Sequence, residues 1–300
     1  MMLTILGPTA SGKTLLAAHL ASRFNGEVIS ADSRQVYRDM TIGTGKDYAD
    51  YIVNGTRVPY HLIDIVEPGT EYNIFRYQQD FSTIYKELLR QGKRPILCGG
   101  SGMYLEVVLK GYRLPVASDD PAFLSNLEGK TEDELTDLLK SVKTLHNITD
   151  VEDRERMIKA LLIEHQSRNS YSSFAPVPSV IFGISWPRGL LRHRITQRLE
   201  QRMQGGLIEE TAQLLTRGIT PERLMKYGLE YKFTTLFLNG KISKEQLFSG
   251  LNTAIHQFAK RQMTWFRRME RQGFKIHWID GRLPLNDKMA LATDIVKNME

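Results

Sequence analysis

Gly7-Pro8-Thr9-Ala10-Ser11-Gly12-Lys13-Thr14 follows the apolar run 3–6 and opens an amphipathic stretch over 13–24. The spacing fits the eight-residue phosphate-loop pattern, and an apolar strand before it and a helix after it supply the context that pattern needs. The physics is direct. The glycines let the backbone curl until several N–H groups point at one anion. The start of the helix adds its partial positive charge, Lys13 adds a full one, and the Thr14 hydroxyl can hold Mg²⁺. Such a loop implies a diphosphate or triphosphate ligand and leaves the reaction open.

The pattern outward from this loop sets the fold class. Short apolar runs at 27–31, 61–65, 95–98, 179–185 and 274–279 read as strands. Amphipathic stretches at 74–91, 102–110, 190–217, 244–250 and 253–273 read as helices. Strands alternating with helices predict crossover units, hence an α/β fold of the P-loop NTPase-like kind: a mostly parallel sheet with helices on both faces. Residues 113–175 break the rhythm. They contain no strand pattern, two helical patterns at 132–143 and 151–167, and prolines at the joints. Thr131-Glu132-Asp133-Glu134 and Thr149-Asp150-Val151-Glu152 carry capping-box starts. The predicted organisation is a catalytic core of 1–112 and 176–300, with a small helical insert domain, 113–175, between two of its strands.

Bulk properties narrow the class. No apolar run approaches the ~18 residues of a membrane span. The first residues run straight into the glycine turn without a basic leader, so no secretory signal is expected. The single cysteine, Cys98, rules out an internal disulfide framework or a cysteine-based zinc site and reads as a small buried hydrophobe. A reducing cytoplasm fits, and a monomer is the default. Residues 1–150 carry 16 Lys and Arg against 19 Asp and Glu; residues 151–300 carry 24 against 15, a net +9. A basic second half admits two readings, a polyanionic partner or solvated helix faces.

Two features bear on chemistry. The strand pattern at 95–98 runs into Gly99-Gly100-Ser101-Gly102 with no carboxylate after it, where a P-loop ATPase usually places its metal-binding aspartate. Asp64, near the end of the run at 61–65, keeps the ATPase or kinase alternative open. The second strand delivers Asp32-Ser33-Arg34-Gln35, with Asp32 at the strand's carboxyl end, where ligands bind in open α/β sheets. Its carboxylate could take a proton from a nucleophile or could cap a turn.

Several blocks together resemble the tRNA dimethylallyltransferases: residues 7–14; Asp32-Ser33-Arg34-Gln35-Val36-Tyr37; Met40-Thr41-Ile42-Gly43-Thr44-Gly45-Lys46; Cys98-Gly99-Gly100-Ser101-Gly102-Met103-Tyr104-Leu105; 194–203; and Phe258-Ala259-Lys260-Arg261-Gln262-Met263-Thr264-Trp265-Phe266-Arg267. They run in order over nearly the whole chain. The resemblance implies that dimethylallyl diphosphate takes the place of a nucleotide in the loop. It implies that the acceptor is N6 of adenosine 37, beside the anticodon of tRNAs reading codons that start with U, and that Mg²⁺ assists. It implies that Lys13, Thr9 and Arg198 stabilise the departing diphosphate, and that Asp32 takes the amine proton. Ser33, Arg34, Gln35 and Ser101 would meet the flipped adenosine, an expected way of presenting a base. Glu155, Arg156 and Lys159 of the insert would clamp the anticodon stem. On the residues alone, Arg198 also reads as a solvated helix arginine and Gln35 as a surface polar residue.

The chain departs from the family pattern at several places. Gly99-Gly100-Ser101 stands for Gly-Gly-Thr, Gly45-Lys46-Asp47 for Ala-Lys-Pro, and Glu230 for the glycine before Tyr231-Lys232. Glu152-Asp153 and Lys159 differ in the insert. These changes are expected on the RNA-contacting side rather than around the phosphate loop. Two neighbouring activities remain as alternatives: prenyl transfer to free adenine nucleotides, and RNA binding without catalysis.

Overall fold

A computed structural model describes residues 1–114, 121–142, 154–167 and 174–299. The chain divides into two compact units, Met1–Lys110 with Pro176–Glu300, and Gly111–Ala175.

The larger unit is built on one six-stranded parallel sheet. Its strands are β1 (Met2–Leu6), β2 (Gly26–Ser30), β5 (Tyr60–His61), β6 (Arg94–Gly99), β7 (Ser179–Ser185) and β8 (Ile276–Asp280), ordered β5-β2-β6-β1-β7-β8. Every pairing in it is parallel. β1 lies between β6 and β7, and all five of its residues are buried. Burial on both faces is why its sequence is an unbroken apolar run rather than an alternating one. Between β2 and β5 lies a small hairpin, β3 (Ile52–Val53) and β4 (Thr56–Arg57). Its turn is Asn54-Gly55, both with positive φ, the residues that a tight primed turn selects.

One face of the sheet packs against α1 (Lys13–Arg23) and α12 (Leu285–Lys297), joining Leu3, Ile5, Leu16, Leu20, Phe182 and Val296 in one core. The other face carries α2 (Ile74–Arg90) and α3 (Gly102–Leu109). Beside the sheet, α7 (Arg188–Gln204), α8 (Leu207–Thr216), α10 (Leu229–Leu238) and α11 (Lys244–Arg271) share a second core around Leu199, Leu207 and Leu251. The short α9 (Pro221–Lys226) connects α8 to α10.

In the smaller unit, α4 (Pro121–Glu128), α5 (Glu132–Val142) and α6 (Arg154–Ser167) pack around Leu127, Leu135, Leu139, Met157 and Leu161. The capping box at Thr131 is present: the Thr131 N–H donates to Glu134 Oε2 at 2.7 Å, and the Glu134 N–H to Thr131 Oγ1 at 3.3 Å. The second one, at 149–152, lies outside the described residues.

Three sequence expectations need correction. The helix expected over 190–217 is two helices, α7 and α8, broken at Gly206, whose φ of 101° no helix interior tolerates. The two helices expected over 244–250 and 253–273 are the single α11. Gly250 sits inside it because a Cβ there would lie 2.6 Å from the Phe233 ring, so this glycine marks close helix packing and not a stop. The strand expected over 61–65 ends at His61, because Leu62 and Asp64 both turn into the positive-φ region. No helix among the described residues is long and apolar enough to cross a membrane.

Candidate active site

The carboxyl ends of β1, β2 and β6 open on one cleft of about 1290 Å³ within the larger unit. Thr9 to Thr14, Asp32 to Gln35, Ser101 and Arg198 all line it. The sheet order produces this convergence, because the phosphate loop leaves β1, the second glycine turn leaves β6 beside it, and Asp32 leaves β2, the next strand out.

The phosphate loop is held from outside. The Trp186 Nε1–H donates to the Ser11 carbonyl at 3.0 Å, and Arg194 Nε donates to the Ala10 carbonyl at 2.9 Å. Gln262, buried on α11, ties the two glycine turns together. Its Oε1 accepts the Thr9 N–H at 2.8 Å, and its Nε2 donates to the Gly100 carbonyl at 2.9 Å. Ser11 Oγ is buried against Gly7, where a Cβ would lie 2.6 Å from it, and has no hydrogen-bond partner among the described residues. Burial pulls the Lys13 ammonium below its ordinary pKa, and the Arg198 guanidinium pulls the same way against Asp32 and Asp47. An anion seated in the loop reverses that balance by favouring the charged amine.

Asp32 stands just past the carboxyl end of β2, at the cleft. Its Oδ1 accepts the Arg34 N–H at 2.9 Å and closes a turn, while Oδ2 has no protein partner among the described residues and the side chain lines the cleft. Gln35 is held at both ends: Ser30 Oγ donates to its Oε1 at 2.9 Å, and its Nε2 donates to the Gly45 carbonyl at 3.1 Å. Ser101 stands at the N-cap of α3 without capping it, which leaves its hydroxyl to the cleft. The side chains of Glu155, Arg156 and Lys159 lie outside the described residues.

Asp64, the other candidate for a metal-binding aspartate, is engaged elsewhere. It accepts from Lys46 Nζ at 2.5 Å and from the Tyr48 hydroxyl. Lys46 is itself buried, and that burial lowers its pKa against the pull of Asp64. Among the described residues no group of three or more acidic, histidine or cysteine side chains could hold a metal. A Mg²⁺ carried in by a diphosphate would meet the Thr14 hydroxyl at the cleft wall, without a protein cage to hold it beforehand.

The chain matches the family described as IPP transferase over residues 35–269. It is 52% identical over 300 residues to tRNA dimethylallyltransferase 1 of Parabacteroides distasonis, covering 99% of this chain and 98% of that one. It is 54% identical over 290 residues to tRNA dimethylallyltransferase 2 of Porphyromonas gingivalis, with 96% of each covered. This chain belongs to the IPP transferase family. Its fold is that of the full-length tRNA isopentenylpyrophosphate transferase from Bacillus halodurans, at TM-score 0.74 and 30% identity, covering 99% of this chain and 95% of that one. A eukaryotic dimethylallyltransferase acting on tRNA shares the fold at TM-score 0.79 and 23% identity, over 99% of this chain and 79% of that one.

Within this IPP transferase, several residues that shape the cleft carried no sequence signal as site residues. Glu210 on α8 accepts the N–H groups of Thr41, Ile42 and Gly43 at 2.9, 2.8 and 3.0 Å, and the Tyr231 hydroxyl at 2.6 Å. Three amides converging on one carboxylate fix the whole loop from Thr41 to Lys46. Replacing Glu210 with Ala leaves those amides unpaired, and urea unfolding should show a loss of about 2–4 kcal/mol. A loss within experimental error would show that the loop holds itself. Asp47 and Glu230, expected on the RNA-contacting side, instead bond to Arg198 and Arg202 of α7 at the cleft wall. On α11, the buried face runs through Ile255, Ala259, Gln262, Phe266 and Met269, while Phe258 is exposed. Arg268 donates to the buried Glu106 at 2.7 Å and lies 3.9 Å over the Trp265 ring.

Asp50 adds a titration near neutrality. Burial, then the charge of Asp47, pushes its carboxyl up to about 6, with Arg198 and Lys13 opposing. It is neutral below that value and charged above it. A negative charge appearing near Lys13 as the pH rises works against a bound anion. Pyrophosphate affinity should therefore weaken as the pH rises through about 6, beyond whatever the ligand's own titration causes. Asp50→Asn isolates the effect: calorimetric titrations across that range should show a shallower profile for the variant. Superimposable profiles would reject it.

Proposed function

We propose that this chain is a tRNA dimethylallyltransferase, moving the dimethylallyl group of dimethylallyl diphosphate onto N6 of adenosine 37 in tRNAs that read codons starting with U. The products are N6-isopentenyladenosine and diphosphate, and the enzyme works in the cytoplasm as a monomer. The observation that carries this reading is the joint presence, in one cleft, of a phosphate loop and an aspartate with an open oxygen. The cleft is larger than the ~300–1,000 Å³ of an ordinary small-molecule site, which leaves room for a base beside the donor.

The allylic C–O bond breaks toward a stabilised cation, so the enzyme's main tasks are to stabilise the leaving diphosphate and align the amine. Residues Gly7, Pro8, Thr9, Ala10, Ser11, Gly12, Lys13 and Thr14 form the cradle, with Lys13 and Arg198 as its full charges. The Thr9 hydroxyl adds a donor at its wall. Mg²⁺, bound at Thr14 together with the diphosphate, would supply further neutralisation of the leaving group. Asp32 Oδ2 accepts a hydrogen bond from the adenine amine and takes its proton as the C–N bond forms. Ser33, Arg34, Gln35 and Ser101 receive the flipped nucleotide, and Glu155, Arg156 and Lys159 of the smaller unit contact the anticodon stem.

The test offers labelled dimethylallyl diphosphate with an anticodon stem-loop bearing adenosine 37, with AMP, and with no acceptor but ATP. Label in the stem-loop alone is the expected result. Label in AMP alone would move the activity to free nucleotides. Brisk ATP hydrolysis without prenyl transfer would make the chain an ATPase, and stem-loop binding without label would leave an RNA-binding protein.

A further inference from the structure

Gly45, Asp47 and Glu230, three positions where the chain departs from the family pattern, meet along one row of arginines. Arg194, Arg198 and Arg202 stand one turn apart on α7, and all three face the cleft. Each has a different partner. Arg194 is bound to the phosphate-loop carbonyl of Ala10 and lies 4.4 Å over the Trp186 ring. Arg202 donates to Glu230 Oε1 at 3.1 Å, with only 14% and 16% of the two side chains exposed. Glu230 sits in the first turn of α10, where the helix field favours a carboxylate. Gly45 makes the space: a Cβ there would lie 2.0 Å from one Arg202 terminal nitrogen and 2.9 Å from one of Arg198. The Arg202 pair is therefore built in, buried on both sides and fixed by packing.

The Arg198 pair is different. Its partner, Asp47, lies outside helix and strand, is 45% exposed, and makes no other side-chain contact among the described residues. An exposed carboxylate holding one guanidinium contributes at most about 1 kcal/mol. A diphosphate in the adjacent phosphate loop carries more charge and offers more oxygens to the same guanidinium. Arg202, a like charge one turn away, opposes any retreat of Arg198 along α7.

We propose that Asp47 is a displaceable counter-ion of Arg198: it orients the guanidinium while the diphosphate end of the cleft is empty, yields to the donor, and re-engages as product diphosphate leaves. Asp47 is thus a positioning residue that sets donor affinity and product release. The inference rests on the reading that this end of the cleft takes the donor's diphosphate.

Calorimetric titration of inorganic pyrophosphate into the wild-type protein, Asp47→Asn and Asp47→Ala tests it. Both variants should bind pyrophosphate about fivefold more tightly, the factor set by losing one exposed competitor. In steady-state transfer to an anticodon stem-loop, the KM for the donor should fall while kcat does not rise, and pyrophosphate should inhibit at lower concentration. In an Arg198→Ala background the Asp47→Asn gain should vanish. Unchanged or weaker pyrophosphate binding in both variants overturns the proposal, as does a gain that persists without Arg198. A wild-type protein that binds no pyrophosphate removes the donor-site reading and this inference with it; binding by the wild type without a gain in the variants removes this inference alone.

Discussion

Lys13→Met should reduce prenyl transfer to a stem-loop by roughly 10²–10³, the usual consequence of removing one group that stabilises charge developing in the transition state. The reason lies in the loop. Lys13 opens α1, directly after the backbone that cradles the anion, and its ammonium is largely desolvated by its surroundings. A point charge in such a place acts at low effective dielectric, so its loss is felt more than that of a surface lysine. Methionine keeps the aliphatic stem and removes only the charge, so the fold should survive and circular dichroism should be unchanged. Pyrophosphate binding should weaken along with turnover, because leaving group and ligand share the same contacts. Transfer within tenfold of wild type would mean that Arg198 and the loop amides suffice.

Asp32→Asn should lower turnover by roughly 10²–10⁴ while leaving stem-loop affinity within about twofold, the range expected when a positioned proton acceptor is lost. The substitution is informative because it separates the two jobs of this side chain. The asparagine oxygen can still accept the Arg34 N–H, so the turn closed by Oδ1 persists. What disappears is an anionic oxygen facing the cleft. An adenine amine is scarcely basic, and without a nearby acceptor its proton has no place to go as the new C–N bond forms. Single-turnover rates and a filter-binding isotherm on the same protein distinguish the outcomes. A turnover loss matched by an equal loss of RNA affinity would show that Asp32 acts in binding.

Local sequence was enough for part of this picture. The phosphate loop could be read because strand, glycine turn and helix follow one another within a few residues, and each has its own period. The position of Asp32 could be read because the carboxyl end of a parallel strand is where such folds meet ligands. The boundary errors came from residues whose meaning is tertiary. Gly206 stops a helix through its own φ, yet Gly250 continues one because of a neighbour, Phe233, on another helix. Asp64 looked available for a metal until Lys46 and Tyr48 were seen to occupy it. Glu210, Gln262 and Glu230 act through partners that lie 167–169, 253 and 28 residues away, respectively, and periodicity carries no information about such pairs. The family resemblance singles out Arg198 but carries no sign of Asp47 as its partner.

The central claim is that residues 7–14 cradle the pyrophosphate of an allylic donor while Asp32 faces the purine amine. A crystal structure of the protein with an unreactive thio-linked dimethylallyl diphosphate and an anticodon stem-loop measures this directly. The account predicts the diphosphate among the loop amides, Lys13 and Arg198, and Asp32 Oδ2 within hydrogen-bonding distance of N6. A diphosphate seated elsewhere, or an adenine amine with Asp32 turned away from it, would contradict the account.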